Sequence, residues 1–406
     1  MWQLFPAWYK RTSRAGQYPG FTSFKYSGLA STHNRSNAYN VAAIKGESMT
    51  SFRENYRGKT VLVTGGAGAI GSYLCRELAG LGARVLVLDD LPSGVRWNVP
   101  SCPQVVFVEG DVIDEIKLKR VFFERPRIVF HLAGFFANQN SVDHPERDLM
   151  VNGMGTLRAL EYSVLTGIDR FVFASSSSTV YGGQAPLPFR EDYISLKLTT
   201  PYQATKMLGE LYCNFFFHHY GVNTVKARFF NNYGPGENPG QYRNVIPNFI
   251  YYAMQGLALP VTGSGEETRD FTYVGDTVDG LLRCGVMDAA IGQEINIATG
   301  TETQIGDLAR MINEFVGNSA GVRYLGRRKW DDKSRRLASI DKARRLLGFH
   351  PTTPIAVGLQ NTVAWFRENW DKIAMDANFG PGALMFVTKD QPGLQEEKVL
   401  KASVTD

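Results

Sequence analysis

Tyr202 and Lys206 stand at i and i+4 in a stretch with helical periodicity. That spacing puts a phenol and an ammonium one turn apart on the same face. The cation stabilises a tyrosinate and draws the tyrosine pKa toward working pH, which makes the pair a base for an alcohol proton. The run Ser175-Ser176-Ser177-Ser178-Thr179 follows a buried apolar stretch. A loop there can set a hydroxyl beside the phenol to hold and polarise the reacting oxygen. Tyr and Lys are also common surface neighbours, so the chemistry needs a second signal.

That signal lies upstream. Val61-Leu62-Val63-Thr64 runs into Gly65, Gly68 and Gly71, spaced G-x-x-G-x-x-G. Glycine permits the tight turn and lets the backbone approach a pyrophosphate. The helix beginning near Gly68 offers free N–H groups and the positive end of its dipole. Asp89 ends the next apolar stretch, where a carboxylate takes hydrogen bonds from a ribose diol and repels a 2′-phosphate. This favours NAD over NADP. Asp111 ends the third stretch and either contacts the adenine amine or serves as a turn residue. The glycine turn and the Tyr–Lys pair, in this order, point to a nicotinamide enzyme in which the tyrosine takes a proton while the cofactor takes a hydride.

The elements that must position these residues alternate. Strands are expected at Thr60–Thr64, Arg84–Leu88, Val105–Val108, Ile128–Leu132, Arg170–Ala174 and Thr224–Phe229. Helices are expected at Gly71–Leu81, Asp114–Glu124, Pro145–Leu165 and Pro201–Tyr220. Short, continuously apolar strands with helical crossovers imply a parallel sheet covered on both faces. The fold class is therefore α/β: a doubly wound parallel Rossmann sheet, with its ligand at the carboxyl ends of the strands. After Phe230 the chain turns rich in Gly, Pro and Asn, with helices at Val245–Gln255 and Ile305–Val316. This reads as a smaller C-terminal α/β substrate-binding lobe. The expected division is residues 1–48 as a disordered leader or over-extended start, 49–230 as the NAD-binding domain, 231–375 as the substrate lobe and 376–406 as a loose tail. The sheet is expected to be completed from about residues 271–300, where Phe271–Val274 and Glu294–Ile297 return to it.

Bulk composition excludes several classes. The formal charge is +5, but residues 1–46 hold six cations and no acid, so +5 less +6 leaves −1 for the rest. A nucleic-acid surface is not indicated. The basic leader fits either an organelle-targeting segment or, the favoured reading, a stretch ahead of a true start at Met49. The four cysteines are scattered without C-x-x-C, which suits a reduced, cytoplasmic protein. The six histidines show no metal-ligand spacing, so no metal is expected. No apolar run reaches the roughly 18 residues of a membrane span.

In its motifs the chain resembles the extended short-chain dehydrogenase/reductase family, in its nucleotide-sugar epimerase/dehydratase branch, from about Gly58 to Trp370. Thr64–Gly71, including Ala69 and Ile70, resembles the family's cofactor turn, and Asp89-Asp90-Leu91 its ribose-binding acid. Gly110-Asp111-Val112 resembles the adenine-contact turn, and His131-Leu132-Ala133-Gly134 the backbone along the cofactor. Ser175–Gly182 resembles the S-S-x-x-V-Y-G segment, which by register places Ser177 on the catalytic Ser/Thr. Tyr202 and Lys206 fall on the catalytic pair. The resemblance implies substrate contacts at Thr179, Asn231, Asn244, Arg269, Arg328 and Asp331. Asp341-Lys342-Ala343 and Leu347-Gly348-Phe349 match late family signatures.

The departures discriminate. Dehydratase relatives carry Asp-Glu after the catalytic Thr, and decarboxylase relatives carry a Glu. Here those positions are Ser178 and Thr179, so no carboxylate is at hand for the C5 proton. Asn140 replaces an Arg found in many relatives. The resulting expectation is an NAD-dependent nucleotide-sugar 4-epimerase without C5 chemistry, with UDP the favoured nucleotide and a homodimer formed through the Pro145–Leu165 and Pro201–Tyr220 helices. The alternatives are a decarboxylase or 4,6-dehydratase on the same scaffold, or a non-catalytic NAD-sensing protein. A last expectation concerns Arg335 and Arg336: counted from Arg328, Arg335 lands beside the hexose, where a guanidinium would fork onto a C6 carboxylate and favour an acidic sugar, while the favoured alternative has one of the two arginines on the diphosphate and the other solvated.

Overall fold

The fold follows from strands that are apolar on both faces. In a computed structural model, which describes residues 51–182, 185–326 and 334–379, seven of them form one parallel sheet. They are β1 (Thr60–Thr64), β2 (Arg84–Asp89), β3 (Val105–Glu109), β4 (Ile128–His131), β5 (Arg170–Ser176), β6 (Thr224–Phe229) and β7 (Glu294–Ile297). The order across the sheet is β7-β6-β5-β4-β1-β2-β3. Because side chains alternate along a strand, Val61 and Val63 join one core and Leu62 the other. Helices cover both faces, so both cores are closed and the strands read as unbroken apolar runs. The order reverses at β1, between β4 and β2, which is where such sheets open a ligand crevice.

The expected helix Pro201–Tyr220 forms over those residues. Thr200 caps it: its side chain accepts from Gln203 N, Gln203 answers back, and Pro201 sits in the first turn. Gly221 ends it in the left-handed conformation. The expected helix at 145–165 is present but not uniform. It begins as Pro145–Asp148, widens to π geometry over Leu149–Gly155, and returns to α over Thr156–Thr166. Such a widening is common where a helix carries a functional side chain, and here it holds Asn152.

Beyond β6 the chain builds a second core from Ile246, Phe249, Leu308, Ile312, Leu359 and Phe366. Glu294–Ile297 returns to the large sheet beside β6. Phe271–Tyr273 does not; it pairs with Asn231–Tyr233 in a separate two-stranded ladder. Asn378 pairs with Gly240, and Phe379 is buried against Tyr251 and Tyr252. The leader at 1–48 and the end of the tail lie outside the described residues. No helix among the described residues is long and apolar enough to cross a membrane.

Candidate active site

The glycine turn is built as its sequence demands. Gly65 has φ +73°, and a Cβ there would lie 2.6 Å from Ala133 N. A Cβ on Gly71 would lie 2.1 Å from Gly65 O. Both positions therefore need glycine, whereas Gly68 merely caps the helix Ala69–Gly80. Asp89 is held in place by the turn it serves: its carboxylate accepts from Ala67 N at 2.9 Å and Leu91 N at 2.8 Å. Burial raises its pKa against these two bonds.

Tyr202 and Lys206 project from their helix into the same cleft, each almost fully buried. Burial raises the Tyr202 pKa, and a hydrogen bond with the Ser176 side chain opposes this. The direction is the reverse of the depression expected from Lys206. The lysine Nζ lies 5.9 Å from the tyrosine ring centre and donates at 3.0 Å to Ala174 O. Burial lowers the Lys206 pKa to about 8, with Asp148 opposing. Desolvation is thus the largest cause at both side chains.

The lysine rests on a network that its own sequence position does not reveal. Asp148 is fully buried and accepts from Thr205 Oγ1 at 2.7 Å and Asn152 Nδ2 at 2.7 Å. Asn152 Oδ1 in turn accepts from Phe135 N at 2.8 Å, tying the π-helical segment to the cofactor wall. Gly134 leaves room for Lys206, since a Cβ there would lie 2.9 Å from Nζ. Asp148 and Asn152 escaped the sequence reading because an acid and an amide four apart on a helix look like any polar face.

The other predicted residues divide clearly. Gly65, Gly68, Ala69, Ile70, Gly71, Asp89, Asp111, Val112, Leu132, Ala133 and Gly134 line the cleft with Ser177, Asn231, Asn244 and Arg269. Ser177 is buried on that wall, but Ser176 is the hydroxyl that meets Tyr202. The serine run is not a loop: Ser175 and Ser176 end β5, and Ser177–Val180 forms a helical turn. Asp111 uses one oxygen for Ile113 N and the other for Arg147. The side chain of Thr179, and Arg328 and Asp331, lie outside the described residues.

Arg335 is not on the cleft wall. Its Nε donates to Glu302 at 3.0 Å, and its side chain is 55% exposed. Arg336 lines the cleft instead. The segment is anchored by Thr268 N bonding Ser334 O and by the Phe189–Ala338 bridge. Of these two consecutive arginines only Arg336 lines the cleft. The carboxylate role expected of Arg335 loses its geometry.

The residues present fit a dinucleotide: a cradle a Cβ would fill, a free helix N-terminus and a pre-oriented acid. Comparisons with known proteins agree. Residues 61–298 match the family described as NAD dependent epimerase/dehydratase family. A UDP-glucose 4-epimerase of Mycolicibacterium smegmatis is 35% identical over 309 residues, 75% of this chain and 98% of that protein. UDP-glucuronic acid decarboxylase 1 of Xenopus tropicalis is 33% identical over 76% of this chain and 72% of its own length. The solved structure of epimerase Mth375 from Methanothermobacter thermautotrophicus is 54% identical, with a TM-score of 0.81 over 82% of this chain and 98% of that one.

Proposed function

Because the chain belongs to the NAD-dependent epimerase/dehydratase family, we propose that it interconverts the C4 epimers of a UDP-hexose or UDP-hexuronic acid through a 4-keto intermediate. One observation carries this choice: Tyr202 and Ser176 meet in the glycine-turn cleft, and the segment Ser175–Thr179 beside them holds only hydroxyls. An alcohol proton has a base there, and the C5 proton has no carboxylate from that segment. The carboxylates of the substrate lobe that line the cleft are otherwise bound. Glu237 accepts from Asn244 at 2.7 Å, and Glu267 accepts from Gly265 N at 2.9 Å.

Bound NAD would supply the acceptor, and then the donor, of the C4 hydride. The chain's own residues do the rest. Tyr202 removes the O4 proton and later returns it, while Ser176 orients the phenol and Ser177 on the same wall takes the sugar oxygen. Lys206 would hold the nicotinamide ribose and supplies positive charge beside the phenol. Arg269 and Arg336 supply cations for the substrate diphosphate, with Asn231 and Asn244 alongside. The 4-keto sugar turns between the two hydride steps, so no net oxidation occurs.

We place the enzyme in the cytoplasm, supported by four cysteines that form no disulfide. A homodimer is supported by the exposed Leu149, Met150, Leu211 and Phe215 on the Leu149–Gly155 and Pro201–Tyr220 helices. Light scattering should give twice the chain mass; a monomer would refute it. For the reaction, UDP-glucose, UDP-N-acetylglucosamine and UDP-glucuronate are offered separately and the products read by NMR. At least one should yield its C4 epimer. Release of CO₂, or a 4-keto-6-deoxy product, would replace epimerisation by one of the related activities.

A further inference from the structure

Resting on the reading of this cleft as an NAD site, we propose that the segment 236–244 is a strap that crosses the bound dinucleotide and limits its release. Two adjacent residues show the crossing. Tyr242 Oη donates to Asp143 Oδ2 at 3.0 Å, and Arg243 Nη2 donates to Ser93 O at 2.5 Å. Asp143 belongs to the connection after β4, and Ser93 to the connection after β2. In the sheet β1 lies between those two strands. A chain fastened to both connections therefore passes over the carboxyl end of β1, where the glycine turn stands.

The rest of the strap agrees with that placement. Gly236, at φ +99°, sits against the start of the Ala69–Gly80 helix: a Cβ there would be 3.4 Å from Ala69 Cα. Its carbonyl accepts from Asn98 Nδ2 at 2.8 Å. Further along, Gly240 N donates to Asn248 Oδ1 at 2.8 Å, and Gln241 N to Asn378 O at 2.8 Å. The strap is thus tied at both ends and on both sides. A second tie crosses the same line. Arg147, beyond β4, bonds Asp90 at 3.2 Å and also Asp111, beyond β2 and β3.

The inner face of the strap presents a side chain that wants a ligand. Asn238 is 6% exposed and lines the cleft, yet neither its Nδ2 nor its Oδ1 has a hydrogen-bond partner. Leaving both atoms of a buried amide unpaired is costly. A dinucleotide under the strap offers what the amide lacks: hydroxyls that give and take, and phosphate oxygens that take. Retention also suits the chemistry, because a cofactor that regains its hydride in each cycle has no need to leave.

The experiment uses the full-length holoenzyme. Heat-released nucleotide is identified first, and a protein carrying no NAD refutes the cofactor site and the strap with it. Exchange of bound NAD for excess isotope-labelled NAD is then followed by mass spectrometry. Asp143→Ala cuts the tie from outside the cleft wall, Tyr242→Phe removes only the hydroxyl, and Asn238→Ala removes the inward contact. Losing one hydrogen bond to a charged group should speed exchange by about tenfold in Asp143→Ala and Tyr242→Phe, with the melting temperature unchanged. Asn238→Ala should weaken NAD affinity by a similar factor. Wild-type exchange rates in both tie variants would overturn the proposal while leaving the NAD site intact.

Discussion

Replacing Tyr202 by Phe should lower kcat by about 10²–10⁴-fold, the usual contribution of a positioned acid–base group. The substitution removes one hydroxyl and keeps the ring that packs at 6.2 Å against Phe136. The helix keeps its cap, and Lys206 keeps its bond to Ala174 O. Fold and NAD content should therefore survive, which equal melting curves and equal released NAD would verify. Burial holds the phenol neutral in the described state, and the Ser176 side chain is its hydrogen-bond partner there. A folded, NAD-loaded variant with near-normal turnover would remove Tyr202 from the mechanism.

The second large effect concerns stability. Arg228 and Glu210 form a two-pronged ion pair, Nε to Oε1 at 2.9 Å and Nη2 to Oε2 at 2.8 Å, in the interior. Burial works against the arginine's charge, and the bonds and charge of Glu210 overcome it. The pair also pins both ends of the serine segment. Ser175 Oγ donates to Glu210 at 2.5 Å, and Arg228 Nη1 donates to Tyr181 Oη at 3.2 Å. Arg228→Met strands a buried carboxylate and should cost about 3–5 kcal/mol in chemical denaturation. Pairing it with Glu210→Gln should recover part of that loss, because the stranded charge is then gone. A loss below about 1 kcal/mol would show the pair to be dispensable.

What the sequence disclosed divides along physical lines. Local rules were sufficient for the glycine turn, whose steric need is absolute at Gly65 and Gly71, and for the Pro201–Tyr220 helix with its cap and stop. They also gave the paired apolar strands, because a strand buried on both faces has no polar alternation to confuse it. The helix Val274–Val286 was missed: its valines, glycines and aspartates are poor helix formers, and burial of Leu281 and Leu282 against the sheet overrides that weakness. Ile355–Glu368 was missed as well, although it packs into the second core.

At the site, residue type and spacing singled out Tyr202, Lys206 and Asp89, which line one cleft in the structure. They did not choose between neighbours. Whether Ser176 or Ser177 meets the phenol depends on where β5 ends and the helical turn begins, which a run of serines does not mark. Arg335 and Arg336 present the same difficulty, resolved only by the cleft that Arg336 lines and the ion pair of Arg335 with Glu302. The strap and the Asp148 network are contacts between distant segments, and no local pattern announces them.

The central claim is that a single hydride leaves C4 and returns to C4 within one enzyme. UDP-sugar carrying deuterium at C4, turned over in ordinary water and read by NMR and mass spectrometry, tests it directly. The predicted result is a C4 epimer that keeps the deuterium at C4, with enzyme-bound NAD unchanged in amount after many turnovers. Deuterium found at C6, or lost from the product, would contradict the account.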